Sequence, residues 1–193
     1  MAGLAATGGG RGVSAGALIV AIVGAESTGK TTLAQALAQQ LSAQHGLRAR
    51  WVAEHLRQWC DDQGRTPLAH EQPAIAQAQA RAIEEAAADG DVVVCDTTPL
   101  MIAVYSQLIF GDTQLVAPAV QWHRRCAMTL LTALDLPWVA DGFIRDGPHV
   151  RDPVDQLLRE LLDGHGLPWT RVAGLGAQRV AAAAATIRPL LRR

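Results

Sequence analysis

Lys30 and Thr31 close the octapeptide Gly24-Ala25-Glu26-Ser27-Thr28-Gly29-Lys30-Thr31, which fits the spacing G-x-x-x-x-G-K-[ST]. That spacing suits the gripping of an anion. Gly24 and Gly29 permit backbone conformations that a Cβ would block, so successive N–H groups can turn inward on a phosphate chain. A helix opening at Lys30 adds the positive end of its dipole. The Lys30 ammonium is expected to reach the β- and γ-phosphates and the Thr31 hydroxyl to ligate Mg²⁺. Glu26, Ser27, Thr28 and Thr32 are expected to complete the contacts to a nucleoside triphosphate.

Two acids stand where chemistry next to such a loop is done. Asp96 ends the apolar run Val92-Val93-Val94-Cys95, the position from which a carboxylate supports Mg²⁺ directly or through water. Its bland alternative is an aspartate that caps the following helix. Glu54 follows a second strand-like run, and either acid could serve as general base toward a substrate hydroxyl. Arg57, three residues on, suits a phosphate or a carboxylate. Trp59 suits a base or the core. In the stretch 137–147, Arg145 is the candidate to close over the γ-phosphate, with Arg151 competing. Trp138 heads that stretch and could stack on a planar ring, with a further cation–π term of ~1 kcal/mol for a cationic one. The histidines show no ligand spacing. Asp61-Asp62-Gln63-Gly64 matches D-x-x-G, but no guanine-reading N-K-x-D accompanies it, so no GTPase switch is expected.

The elements that must hold these residues alternate. Strands are predicted over 17–23, 48–54, 92–95, 128–132 and 169–173. Helices are predicted over 31–41, 67–88 (one or two), 99–110, 114–125, 153–162 and 177–191. Thr97 or Thr98 is available to cap the helix that Pro99 opens, and Asp152 to cap the one that follows it. The polar stretch around 61–64 reads as loop. This alternation predicts an α/β fold of the P-loop NTPase kind, a five-stranded parallel sheet with helices on both faces and a lid loop. Ligands in such sheets lie beyond the carboxyl ends of the strands, so the phosphate loop, Glu54, Asp96 and the 137–147 stretch are expected to converge.

Composition sets the outer bounds. The chain has 193 residues, 49% of them apolar, and a formal net charge of −1. That suits one domain over 17–193, preceded by a Gly- and Ala-rich flexible leader over 1–16. No basic excess points to nucleic acid or anionic lipid. No apolar run approaches the ~20 residues of a membrane span, and no secretion signal opens the chain. Cys60, Cys95 and Cys126 are odd in number and lack metal spacing, which argues for a reducing, cytoplasmic setting.

Taken together, G-A-E-S-T-G-K-T, Ala53-Glu54-His55-Leu56-Arg57, V-V-V-C-D-T-T and above all P-W-V-A-D-G resemble the NadR-type nicotinamide riboside kinases, in order from Ala17 to about Ala173. The resemblance implies a P-loop kinase that moves the ATP γ-phosphate to the 5′-hydroxyl of nicotinamide riboside, giving nicotinamide mononucleotide in NAD salvage. It implies that Glu54, Arg57, Asp96, Trp138 and Asp141 surround the substrate. Where the family often carries D-T-D, this chain has Asp96-Thr97-Thr98, and its loop arginine falls one residue later. With no adenylyltransferase or helix-turn-helix segment before residue 17, the chain is expected neither to adenylylate its product nor to act as a repressor. The competing expectations are a P-loop ATPase acting as a partner-binding switch and a kinase for another nucleoside or small metabolite.

Overall fold

A computed structural model describes residues 16–139 and 147–192, the last without its side chain. Five parallel strands lie in the order β2-β3-β1-β4-β5, with β1 Leu18–Val23, β2 Ala49–Val52, β3 Val92–Asp96, β4 Met128–Thr132 and β5 Trp169–Val172. The helices are α1 Lys30–His45, α2 His55–Gln63, α3 Gln72–Asp89, α4 Pro99–Phe110, α5 Val116–His123, α6 Arg151–Gly164 and α7 Gly176–Ile187. The period-two geometry of β1 divides the core. Ile19, Ala21 and Val23 point into a cluster with residues of α3 to α6, while Val20 and Ile22 point into one built on α1 and α7. Both faces of the sheet are therefore covered.

Strand order reverses at β1, whose two neighbours lead to opposite edges of the sheet. This is the switch point at which an open α/β sheet leaves a crevice. Register aligns Ile22 with Asp96 and Val23 with Leu131, so the tips of β3 and β4 flank the start of the phosphate loop.

Two predicted features are corrected. The polar stretch around 61–64 is not loop: Asp61, Asp62 and Gln63 form the last turn of α2, which stops at Gly64 with φ +65°. Cys60 is the one fully buried residue of that helix, so no apolar stripe marks it, and its exposed face is supported by Gln58 donating to Asp62 over 2.9 Å, four residues on. Nor does Asp152 cap α6. Val150 holds the cap position, and Asp152 sits in the first turn, where its charge meets the helix dipole. Thr98 does cap α4, accepting from the Leu100 N–H.

The same Thr98 hydroxyl meets His123 Nδ1 at 2.9 Å, and His123 Nε2 meets Thr129 Oγ1 at 2.8 Å. A buried imidazole thus ties the start of α4 and the end of α5 to β4. Burial pulls its pKa from 6.5 down to about 4. The unfolded chain takes up a proton that the folded chain refuses, so stability fully present above pH 6.5 drains away as the pH falls toward 4. Urea unfolding is expected to lose on the order of 3 kcal/mol across that window, and His123→Gln to flatten the loss. An equally steep acid limb in the variant would clear His123 of responsibility.

Candidate functional site

The phosphate loop is built from inside outward. At Gly24 the backbone turns with φ +151°, and a Cβ there would stand 2.1 Å from Thr132 Oγ1, so only glycine fits against β4. Thr132 Oγ1 in turn lies 2.7 Å from Thr28 Oγ1, which donates to the Ala25 carbonyl at 2.8 Å. Ser27, at the apex, has φ +54° and exchanges bonds of 3.1 Å with the backbone of Val139. Lys30 Nζ donates to Ala25 O at 2.9 Å, folded back on its own loop.

Asp96 is 1% exposed. Its Oδ2 accepts from Thr31 Oγ1 at 2.5 Å, and Oδ1 is buried with no hydrogen-bond partner. Burial pushes its pKa up, with Thr31, Lys30 and Arg57 opposing. The next residue, Thr97, takes φ +68° and donates its N–H to Ile22 O at 3.0 Å, a kink that turns the chain sharply from β3 toward α4. Glu54 precedes α2, and its Oε2 lies 3.9 Å from Arg57 Nε.

A cavity of about 510 Å³ opens between the phosphate loop and the tips of α2, α3 and α4. Glu26 to Thr32, Glu54 and Arg57 form its polar side, and Leu68, Tyr105, Ile109 and Phe110 its apolar side. A second hollow of about 430 Å³ lies on the other side of the loop, between α1 and the turn Gly174-Leu175-Gly176, and shares Gly29 and Thr32 with the first. The phosphate loop therefore stands between two hollows, each large enough for a small molecule.

Of the residues singled out by sequence, Gly24, Glu26, Ser27, Thr28, Gly29, Lys30, Thr31, Thr32, Glu54, Arg57 and Asp96 are gathered around this crevice. Trp138 stands beside the loop, its indole nitrogen 3.4 Å from Glu26 Oε2, and is outside the lining of the larger cavity. Trp59 lies under the Arg65 guanidinium, 4.9 Å from ring centre to Cζ. Arg151 donates to Leu136 O at 2.9 Å, at the base of the stretch that carries Trp138. Asp141 and Arg145 lie outside the described residues, as does the leader up to residue 15.

Three supporting residues escaped the sequence reading. Gln79, in α3, accepts from the His55 N–H at 2.7 Å and donates to Ala53 O at 3.2 Å, clamping the backbone on both sides of Glu54. Arg179, in α7, donates to Thr28 O and to Asp135, whose carboxylate also accepts from the Gly174 N–H at 2.7 Å. Gln72 opens α3 in the wall of the larger cavity, 2% exposed, and its Oε1 has no partner. A buried carbonyl left unpaired costs about 1–3 kcal/mol. Each sits on an otherwise apolar stripe, Gln72 and Gln79 with Ile75 and Ile83, Arg179 with Ala183 and Ile187. A polar residue in register with a buried stripe is the signal that would have found them.

Cys60, in the cavity wall, has its thiol pushed up to about 11 by burial and, secondarily, by Glu54 and Asp61, so it stays protonated and unreactive near neutrality. All three cysteines are buried and free. Among the described residues, no group of three or more His, Cys, Asp or Glu could hold a metal by itself, and no helix is long and apolar enough to cross a membrane.

A family model described as an AAA domain matches residues 19–179. Among solved structures, the chain is similar to the NadR protein in complex with NAD and AMP-PNP, at 18% identity and a TM-score of 0.71, over 92% of this chain and 50% of that one. It is likewise similar to the NadR protein in complex with NR, at 19% identity and 0.70, over 92% of this chain and 52% of that one. It thus spans about half the length of those NadR chains. Thymidylate kinase from Ehrlichia chaffeensis aligns at 13% identity and 0.64, over 89% of this chain and 99% of that one. No curated protein sequence matches this chain. At these identities the likeness is one of fold, and the fold is the α/β P-loop architecture.

Proposed function

The chain belongs to the AAA domain family, and from that premise we propose that it is an ATP-dependent kinase for a small nucleoside, with nicotinamide riboside the leading acceptor. The observation that supports this most is the pair of hollows on either side of one phosphate loop. A nucleotide gripped by that loop needs one hollow for its own base. The smaller hollow, between α1 and the 174–176 turn, takes the adenine. The larger is faced by Glu54 and Arg57 and takes the acceptor. The NadR structures with AMP-PNP and with NR share this fold and support the choice of ligands.

Roles follow from position. The loop amides and Lys30 hold the phosphates, Lys30 exchanging the Ala25 carbonyl for the nucleotide. Thr31 and Asp96 would hold Mg²⁺: both are hard oxygen donors, and the unpartnered buried Oδ1 of Asp96 suits a cation. Bound there, the ion would neutralise charge on the phosphate oxygens. Glu54 is the better placed proton acceptor, because it lines the acceptor cavity while Asp96 Oδ2 is engaged by Thr31. Arg57 steadies the acceptor or its developing phosphate. The protein thus contributes position and electrostatics to an in-line transfer. Trp138, Asp141 and Arg145 belong to the stretch proposed to close the site.

The test is acceptor dependence. Incubation with ATP, Mg²⁺ and a nucleoside panel is expected to give one product heavier by one phosphate, with ATP turnover rising steeply in its presence. Turnover indifferent to every nucleoside would discard the kinase and leave a nucleotide-dependent switch.

A further inference from the structure

We infer that Gln79 is a positioning residue for the transfer step, aiming the Glu54 carboxylate at the acceptor hydroxyl from outside the acceptor cavity. The inference rests on the proposed function, in which Glu54 accepts the proton, and adds the residue that holds it in place. Gln79 lies in α3, four residues after Ile75 and four before Ile83, and is 0% exposed. Its Oε1 accepts from the His55 N–H at 2.7 Å, and its Nε2 donates to the Ala53 carbonyl at 3.2 Å. A backbone N–H can only donate and a carbonyl can only accept, so this pair fixes which way the amide points.

Those two partners belong to the two peptide groups that flank the Glu54 Cα, one on each side. Holding both planes restrains φ and ψ of Glu54, which stand at −67° and 110°, and with them the direction in which its side chain leaves the backbone. The link between β2, which ends at Val52, and α2, which starts at His55, is only Ala53 and Glu54. Val52 is held by its pairing with Cys95 of β3, so Gln79 completes the hold on that short link. An acid directly before a helix commonly turns back to cap it, yet the Glu54 side chain makes no capping bond to α2. It lines the acceptor cavity instead, with Oε2 lying 3.9 Å from Arg57 Nε. A misplacement of about 1 Å at a reacting group can cost about 10²-fold in rate. A side chain that sets the Glu54 backbone therefore governs turnover.

The test is a double-mutant cycle with Glu54, read by steady-state and single-turnover kinetics with ATP, Mg²⁺ and nicotinamide riboside. Gln79→Met keeps the bulk and removes both bonds, while Gln79→Asn keeps the amide but is one methylene too short to span them. Each is expected to lower kcat about 10–10²-fold, with KM for ATP and for the acceptor within about threefold of the wild type. Glu54→Gln removes the proton acceptor and leaves the two backbone bonds in place. In that background the same changes at Gln79 are expected to slow transfer by less than about threefold. The cycle is complete with either Gln79 variant that melts above the assay temperature. A residue that merely holds α2 against α3 would cost the same factor in both backgrounds. That result, wild-type kcat in Gln79→Met, wild-type turnover in Glu54→Gln, or a rise in KM for ATP matching the fall in kcat would each overturn the assignment and leave the kinase standing. No transfer by the wild type to any nucleoside would remove the kinase and the assignment together.

Discussion

A Lys30→Ala variant is expected to fold like the parent and to transfer phosphate about 10²–10³ times more slowly. The two expectations come from the same geometry. In this structure the ammonium makes one bond of 2.9 Å to the Ala25 carbonyl, a partner that also receives the Thr28 hydroxyl at 2.8 Å. Removing Lys30 therefore orphans nothing, and the loop keeps the contacts among Thr28, Thr132 and Arg179 that shape it. What it removes is the one lysine in the octapeptide, the positive charge proposed to meet the phosphates. Thermal unfolding and single-turnover transfer read the two halves separately. Near-parental turnover would mean that the loop amides suffice.

Asp96→Asn is expected to cost turnover about as much, on the order of 10²–10³-fold, and to leave the unfolding midpoint at or above the parental value when measured without added metal. An ordinary helix-capping aspartate predicts the opposite, because losing a cap destabilises by ~1 kcal/mol. In this chain the cap of α4 is Thr98, so Asp96 is free of that duty. Burial disfavours its charged form, which raises its pKa and makes the ionised group a net cost to folding above that pKa. Asparagine removes the cost and keeps the shape beside Thr31. A variant that melts earlier yet turns over normally would return Asp96 to the role of a structural residue.

Much of this architecture was legible in advance because local signals agreed. The apolar run ending at Val23, the glycines and the Thr31 helix all name the same turn, and Val92 to Cys95 is apolar on both sides of the sheet, as a buried parallel strand should be. The α2 helix was not legible, since Cys60 alone among its residues is buried and its composition resembles loop. The partners of the site were hidden for a different reason. Gln79 lies 24 residues from His55, and Arg179 lies 151 from Thr28, separations at which no local spacing carries information. Gln72 and Gln79 also sit in an Ala- and Gln-rich helix where glutamine looks like a mere helix former. Only their register with Ile75 and Ile83 sets them apart. The proposed lid residues Asp141 and Arg145 rest on sequence alone.

The buried guanidinium of Arg179 has one more implication, for the order in which this protein comes to life. The nucleotide grip is encoded within the first thirty-one positions, but the side chain that bonds its Thr28 carbonyl arrives at position 179. A nascent chain that has completed β1 and α1 still lacks that brace, together with the Asp135 carboxylate it pairs with and the turn at Gly174. Nucleotide capture is therefore expected to wait until α7 docks against the loop, and a chain cut before residue 179 to bind ATP poorly.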